Sequence, residues 1–147
     1  MSKFLKALSL GTVLATLPPP AATAHAGDAE KGEKVFKKCA ACHAVGEGAK
    51  NKVGPELNEI FGRTAGSLED YKYSKAMIEA GGGGLVWDEA TLTTYLTKPK
   101  DMVKGTKMAF AGLKKQEDLD NVIAYLATFS SAAAPADQQG AAEPAAT

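Results

Sequence analysis

Cys39-Ala40-Ala41-Cys42-His43 reads as C-x-x-C-H, the spacing at which a chain attaches haem covalently. Two thiols one helical turn apart can each add across a vinyl group of one porphyrin. The adjoining imidazole then falls under the iron as its proximal ligand. These are the only two cysteines in the chain, and His43 is one of two histidines. A Cys39–Cys42 disulfide is the competing reading, because the chain carries an export signal and exported thiols meet an oxidising compartment. It would close a very small, strained or redox-active loop. The histidine immediately after Cys42 favours haem.

The export signal lies at the N-terminus. Lys3 and Lys6 precede a short apolar run, Ala7 to Leu17, that stops at Pro18-Pro19-Pro20. Ala24-His25-Ala26 then offers a small-x-small cleavage site before Gly27. The run is too short to span a bilayer as a helix, and no other stretch is long and apolar enough, so stable membrane insertion is not expected. Cleavage after Ala26 would remove His25 and leave His43 as the only histidine. It would also take Lys3 and Lys6 from a balance of 17 basic and 17 acidic groups. No basic excess points to nucleic acid.

The 147 residues suggest one domain, divided here into a cleaved leader (1–26), a folded part (27–130) and a tail (131–147). Asp28 can cap a helix that runs into Cys39, with Ala29, Gly32, Val35 and Phe36 on one stripe. Gly32 is either a tolerated surface glycine or the point where another helix comes close. Residues 44–58 read as a glycine-rich loop, with Pro55 fixing a turn. Leu57, Ile60 and Phe61 suggest one helical turn. Ser74 can cap a short helix that Gly81 to Gly84 end as a flexible connection. Asp88 caps a helix through Lys98, which Pro99 stops. Lys100 to Gly112 then reads as a second loop. Leu119, Val122, Ile123 and Leu126 form a helical stripe in the last helix, which starts near Lys115. The Ala/Pro/Gln/Gly tail cannot bury enough surface to order itself. The expectation is an all-α fold of four to five short helices and long loops, its sparse core completed by one haem.

The sixth iron ligand decides what such a haem does. Met77 sits in an Ala/Ile helical context and reads first as a core filler. Met102 and Met108 both come after Pro99. Met108, in Gly105-Thr106-Lys107-Met108-Ala109-Phe110, has the flexible and small neighbours that let a loop press a thioether onto iron. That soft, neutral ligand favours the ferrous state.

With these pieces in place, the chain resembles the class I c-type cytochromes. It is similar to mitochondrial cytochrome c and most similar to the larger soluble cytochromes of photosynthetic and denitrifying bacteria. The resemblance rests on nine pieces in order. They are Gly-Asp-Ala-Glu-Lys-Gly at 27–32, the Cys39–His43 signature, Val-Gly-Pro-Glu-Leu at 53–57, Phe-Gly-Arg at 61–63 and Tyr71-Lys72-Tyr73. Trp87, Tyr95 to Pro99, Gly-Thr-Lys-Met-Ala-Phe-Ala-Gly at 105–112 and Ile-Ala-Tyr-Leu at 123–126 complete them.

The resemblance implies the cytochrome c fold around one haem c held by Cys39 and Cys42. His43 would be the proximal ligand, hydrogen-bonded to the Pro55 carbonyl, and Met108 the distal one. Arg63, Tyr73 and Trp87 would hold the haem propionates. Tyr95 and Thr106 would line the methionine side. Gly32 and Phe36 would pack on the last helix near Tyr125. The longer stretch between Tyr73 and Trp87 departs from the mitochondrial pattern, so Met77 is assigned no role.

Lysines cluster in sequence near both ligands, among them Lys38, Lys52, Lys100, Lys107 and Lys114. Such runs are often no more than a solvated face. In the resembling fold most of them ring the exposed haem edge, where they would steer it to acidic faces of redox proteins. The expected role is a monomeric, periplasmic one-electron shuttle, not an enzyme. Its partners would be a membrane cytochrome complex on one side and a reaction centre, oxidase or dehydrogenase on the other. A haem sensor or a peroxidase-like enzyme, with Met108 off the iron, is the alternative.

Overall fold

The computed structural model describes residues 26–133. The expected leader and Ala/Pro tail lie outside this range, apart from Ala26 and Ser131–Ala133. The described chain is all-α: α1 (Ala29–Phe36), α2 (Lys75–Gly82), α3 (Glu89–Thr97), α4 (Pro99–Met102) and α5 (Gln116–Ala127), then a 3-10 turn at Ser131–Ala133. Extended pairing among the described residues is a single bridge between Thr64 and Val86. No described helix is long and apolar enough to cross a membrane.

The first and last long helices are folded onto each other. Asp28 caps α1, accepting from the Glu30 and Lys31 amides at 2.9 and 3.2 Å. Its own amide donates to Asn121 Oδ1 on α5 at 2.8 Å. Leu119, Val122, Ile123 and Leu126 are all buried along α5, as the stripe predicts. Gly32 is the crossing point. A Cβ there would run into the Asn121 carbonyl and sit 2.6 Å from Tyr125 Cβ. One turn on, the Phe36 and Tyr125 rings lie 5.4 Å apart.

Four expectations need correction. Leu57, Ile60 and Phe61 form no helical turn. A positive φ at Glu59 (52°) and another at Gly62 (78°) bend this segment instead; Ile60 and Phe61 are buried as its backbone is tied to Phe129 beyond α5 and to Trp87, the Glu59 and Gly62 amides donating to those carbonyls at 2.8 Å. Gly81 is not part of a flexible connection. It lies inside α2, where a Cβ would strike the Ala65 carbonyl, so its missing side chain lets α2 dock on that loop. The Asp88-capped helix stops at Thr97, one residue short of Lys98. Pro99 does not simply terminate it: with its locked φ and absent N–H, proline suits the first position of a helix, and here it opens α4. Lys100 and Met102 therefore stand on a helical turn, and the loop carrying Met108 begins only at Val103.

Candidate functional site

The signature stretch is held as turns by the backbone. Cys42 and His43 amides both donate to the Cys39 carbonyl at 2.9 Å, and Gly54 N–H donates to the Cys42 carbonyl at 2.8 Å. The Gly54 link ties residues 39–43 to the loop through Pro55. Lys52 Nζ reaches over to the Ala40 carbonyl at 2.9 Å.

These ties put Cys39, Cys42 and His43 on one wall of a cavity of about 290 Å³. Met108, from the loop after α4, lines the same cavity, as do Pro55, Arg63, Tyr73, Trp87, Tyr95 and Thr106. Every residue that the resemblance assigns to the haem pocket thus converges on one space. Met77, left without a role, is buried and lines it too; Met102 does not reach it.

His43 Nδ1 is 2.7 Å from the Pro55 carbonyl oxygen. That bond fixes the ring and the tautomer, since Nδ1 must carry the proton to donate, leaving the Nε2 lone pair for a metal. Burial pushes the imidazole below its ordinary pKa. The Pro55 hydrogen bond opposes this, and the Arg63 and Lys52 charges reinforce it. The net effect favours the neutral ring that a metal requires. Cys39 and Cys42 are free thiols, not bonded to each other. Burial pushes the Cys39 thiol above its ordinary value, against the pull of Lys38.

On the methionine side, the Tyr95 hydroxyl and Thr106 Oγ1 lie 2.9 Å apart, and Thr106 Oγ1 accepts from the Met108 amide at 3.2 Å. A packed tyrosine on α3 thereby anchors the backbone at Met108. The Trp87 ring sits 5.0 Å from that of Tyr95.

The pocket's chemistry suits a haem. Its walls are mainly apolar, matching a porphyrin face, and two of its lining residues, Trp87 and Arg63, keep unspent donors. Trp87 is 7% exposed, yet its indole N–H has no acceptor among the described residues. Buried N–H groups are rarely left so, and a propionate in the cavity would supply the acceptor. Arg63 offers five N–H donors, three of which reach protein acceptors. Nη1 donates to Glu56 Oε1 at 3.1 Å and to the Asn58 carbonyl at 3.2 Å, and Nη2 donates to the Glu56 carbonyl at 3.0 Å. Two donors remain for a carboxylate. Burial raises the Tyr73 hydroxyl above its ordinary pKa, while Arg63 pulls it down.

The lysines are less free than their sequence suggests. Lys38 pairs with Asp118 of α5 at 3.0 Å. Lys107 Nζ donates to the Lys72 carbonyl at 2.9 Å, and Lys114 Nζ to the Ala111 carbonyl at 3.2 Å. Lys38 and Lys107 border the cavity. Lys100 is exposed on α4, away from the lining. Sequence reasoning missed Glu56 and Asn51. Asn51 Oδ1 accepts from the Glu56 amide at 2.9 Å, so both residues build the seat of Arg63. A lone glutamate in a loop gives no periodic signal that would mark it.

Comparison with known proteins agrees with this geometry. The family model for cytochrome c matches residues 29–130. A cytochrome c2 of Agrobacterium tumefaciens (strain II Chrys) is 60% identical over 111 residues, covering 76% of this chain and 99% of that protein. A cytochrome c-550 of Ancylobacter novellus is 55% identical over 100 residues, covering 68% and 94%. Among solved structures, cytochrome c2 from Rhodospirillum centenum superposes with a TM-score of 0.68 at 39% identity, covering 71% of this chain and 99% of that one. The Cys39/Cys42 pair is the attachment point for the one covalent haem c that such a match implies. The nine sequence pieces, the five helices around one cavity and these likenesses agree: the chain belongs to the cytochrome c family.

Proposed function

We propose that this chain is a periplasmic one-electron carrier between membrane-bound redox complexes, with its haem iron held by His43 and Met108. The observation that carries the reading is the convergence of Cys39, Cys42, His43 and Met108 on a single cavity. Bound haem c supplies an iron that holds or releases one electron. The chain's own residues do the rest. His43 is kept neutral and oriented by Pro55, and Met108 is held by the Tyr95–Thr106 anchor. Arg63 and Trp87 offer donors to the propionates, and the apolar wall keeps water out. With two protein ligands the iron has no open position, so no substrate is bound or transformed.

Lys38 and Lys107 at the cavity rim, with Lys52 nearby, form the face that meets acidic patches on donor and acceptor. Such encounters are small and short-lived. Export follows from the leader, cleaved after Ala26, and Ser131, at the start of the tail, is still tied to the fold by its amide and hydroxyl, which both donate to Glu59 Oε2 at 2.8 Å. Two measurements test the reading. A haem stain that survives denaturing electrophoresis is expected, as is a sulfur-to-iron charge-transfer band in the red absorption of the ferric protein. A colourless exported protein would overturn haem attachment. A missing red band with fast binding of added ligands would overturn the carrier role in favour of a sensor or peroxidase.

A further inference from the structure

Arg63 is the only arginine in the chain, and it borders the cavity beside His43, Tyr73 and Trp87. The other cations near the cavity are lysines on the exposed rim. The Arg63 side chain is 12% exposed, and its partner Glu56 is 19% exposed. Glu56 itself does not line the cavity; it stands behind Arg63. Its two carboxylate oxygens have separate tasks. Oε1 takes Arg63 Nη1 at 3.1 Å, and Oε2 takes the Asn58 amide at 2.7 Å. The Glu56 backbone is engaged as well, its carbonyl by Arg63 Nη2 at 3.0 Å and its amide by Asn51 Oδ1 at 2.9 Å. Asn58 closes the set, pairing with Gly46 through both Oδ1 and Nδ2 at 2.8 and 2.9 Å.

We propose that Glu56 is a positioning residue for the redox site: it clamps the Arg63 guanidinium so that two of its donors face the cavity, and it offsets the Arg63 charge there. The inference rests on the haem reading above. A guanidinium is a planar fork whose donors act together only when the fork is held in place. Here one edge is spent on Glu56 and Asn58, which turns the remaining N–H groups away from that seat. The charge has a sign consequence. Ferric haem carries one positive charge more than ferrous haem. An uncompensated cation at the wall disfavours the ferric form, and in this partly buried setting the Coulomb term is only weakly screened. With Glu56 in place, the pair presents little net charge.

Neutralising Glu56 is therefore expected to raise the reduction potential. Glu56→Gln keeps the shape and removes the charge, and Glu56→Asp keeps the charge on a shorter arm. In the haem-loaded full chain, Glu56→Gln raises the potential and Glu56→Asp stays nearer the wild type. An unchanged potential in Glu56→Gln overturns the proposal. If Glu56→Gln yields no folded haem protein, the wild-type chain decides. Nitrogen NMR of the single arginine should give distinct, slowly exchanging Nη signals, and one averaged signal overturns the clamp. A haem stain on each variant separates loss of attachment from loss of this effect.

Discussion

His43 Nδ1 lies 2.7 Å from the Pro55 carbonyl oxygen, and the Gly54 backbone passes so close to the same ring that a Cβ on it would sit 2.8 Å from Nδ1. The ring is thus held by a hydrogen bond at Pro55 and by the lack of a side chain at Gly54. Gly54→Ala forces either the ring or the loop to move. Overpacking of this kind costs about 1–3 kcal/mol. The expected result is a lower denaturation midpoint together with an altered ferric spectrum. A normal spectrum in a destabilised protein would show that the loop yields and the ring does not.

Met108→Ala removes the only sulfur that the Tyr95–Thr106 anchor holds at the cavity. It should abolish the red charge-transfer band, lower the reduction potential and admit external ligands. Met77 lines the cavity from α2. Retention of the band in Met108→Ala but not in a Met77→Leu/Met108→Ala double variant would give the ligand role to Met77.

Burial holds the Tyr95 hydroxyl protonated above its ordinary range, with the Thr106 hydrogen bond opposing. As pH rises past about 10, the unfolded chain gives up this proton first. The folded chain then binds more protons than the unfolded one, so stability falls with rising pH. Tyr95→Phe should lose about 0.5–1.5 kcal/mol at neutral pH with the hydroxyl contact and should lessen the alkaline decline. Tyr73 and Tyr125 shift in the same direction, so part of the decline remains. Urea midpoints across the alkaline range measure both effects.

Gly81 and Gly82 are neighbours with opposite prospects. A Cβ on Gly81 meets the Ala65 carbonyl, whereas one on Gly82 meets nothing within 4 Å. Gly82→Ala, in the last turn of α2, should stabilise by about 0.5–1 kcal/mol, and Gly81→Ala should destabilise. Thermal unfolding of the two variants side by side tests this, and equal midpoints would contradict the docking of α2 on the Ala65 loop.

Lys107→Glu reverses charge at the cavity rim without breaking an ion pair, since Lys107 Nζ donates to the Lys72 carbonyl rather than to a carboxylate. It should slow electron transfer to an acidic partner at low salt and flatten the salt dependence. Lys38→Glu should do the same and also destabilise, because it brings two carboxylates together at Asp118. Stopped-flow rates across a salt series, beside denaturation curves, separate docking from stability.

The features legible in the sequence obey local rules. Asp28, Ser74 and Asp88 each cap the helix expected of them, because an N-cap needs only a short acceptor before a helical run. The α5 stripe is legible because 3.6-residue periodicity marks one face. Pro99 misleads because proline both ends helices and starts them, and the two uses differ only in the residues after it. Gly81 looks like a linker because four glycines in a row suggest freedom, and only the fold brings Ala65 against it. Glu56 and Arg63 are seven residues apart in an irregular loop, a spacing that no pattern flags. The pairing of Lys38, just past α1, with Asp118 on α5 depends wholly on how those helices cross.

That crossing also sets an order of events. Asp28 reaches Asn121 across 93 positions, so the fold closes only once both ends of that span are present. A chain delivered N-terminus first presents Cys39 and Cys42 well before α5 is made. Closing so long a loop is slow relative to local turns, and burial in the closed fold holds the Cys39 thiol away from its reactive anion. Before closure the Cys39 thiol is free of that burial. Order of synthesis and order of closure thus run opposite ways: the segment that carries both sulfurs is made early, and the helix that Asp28 must meet comes late.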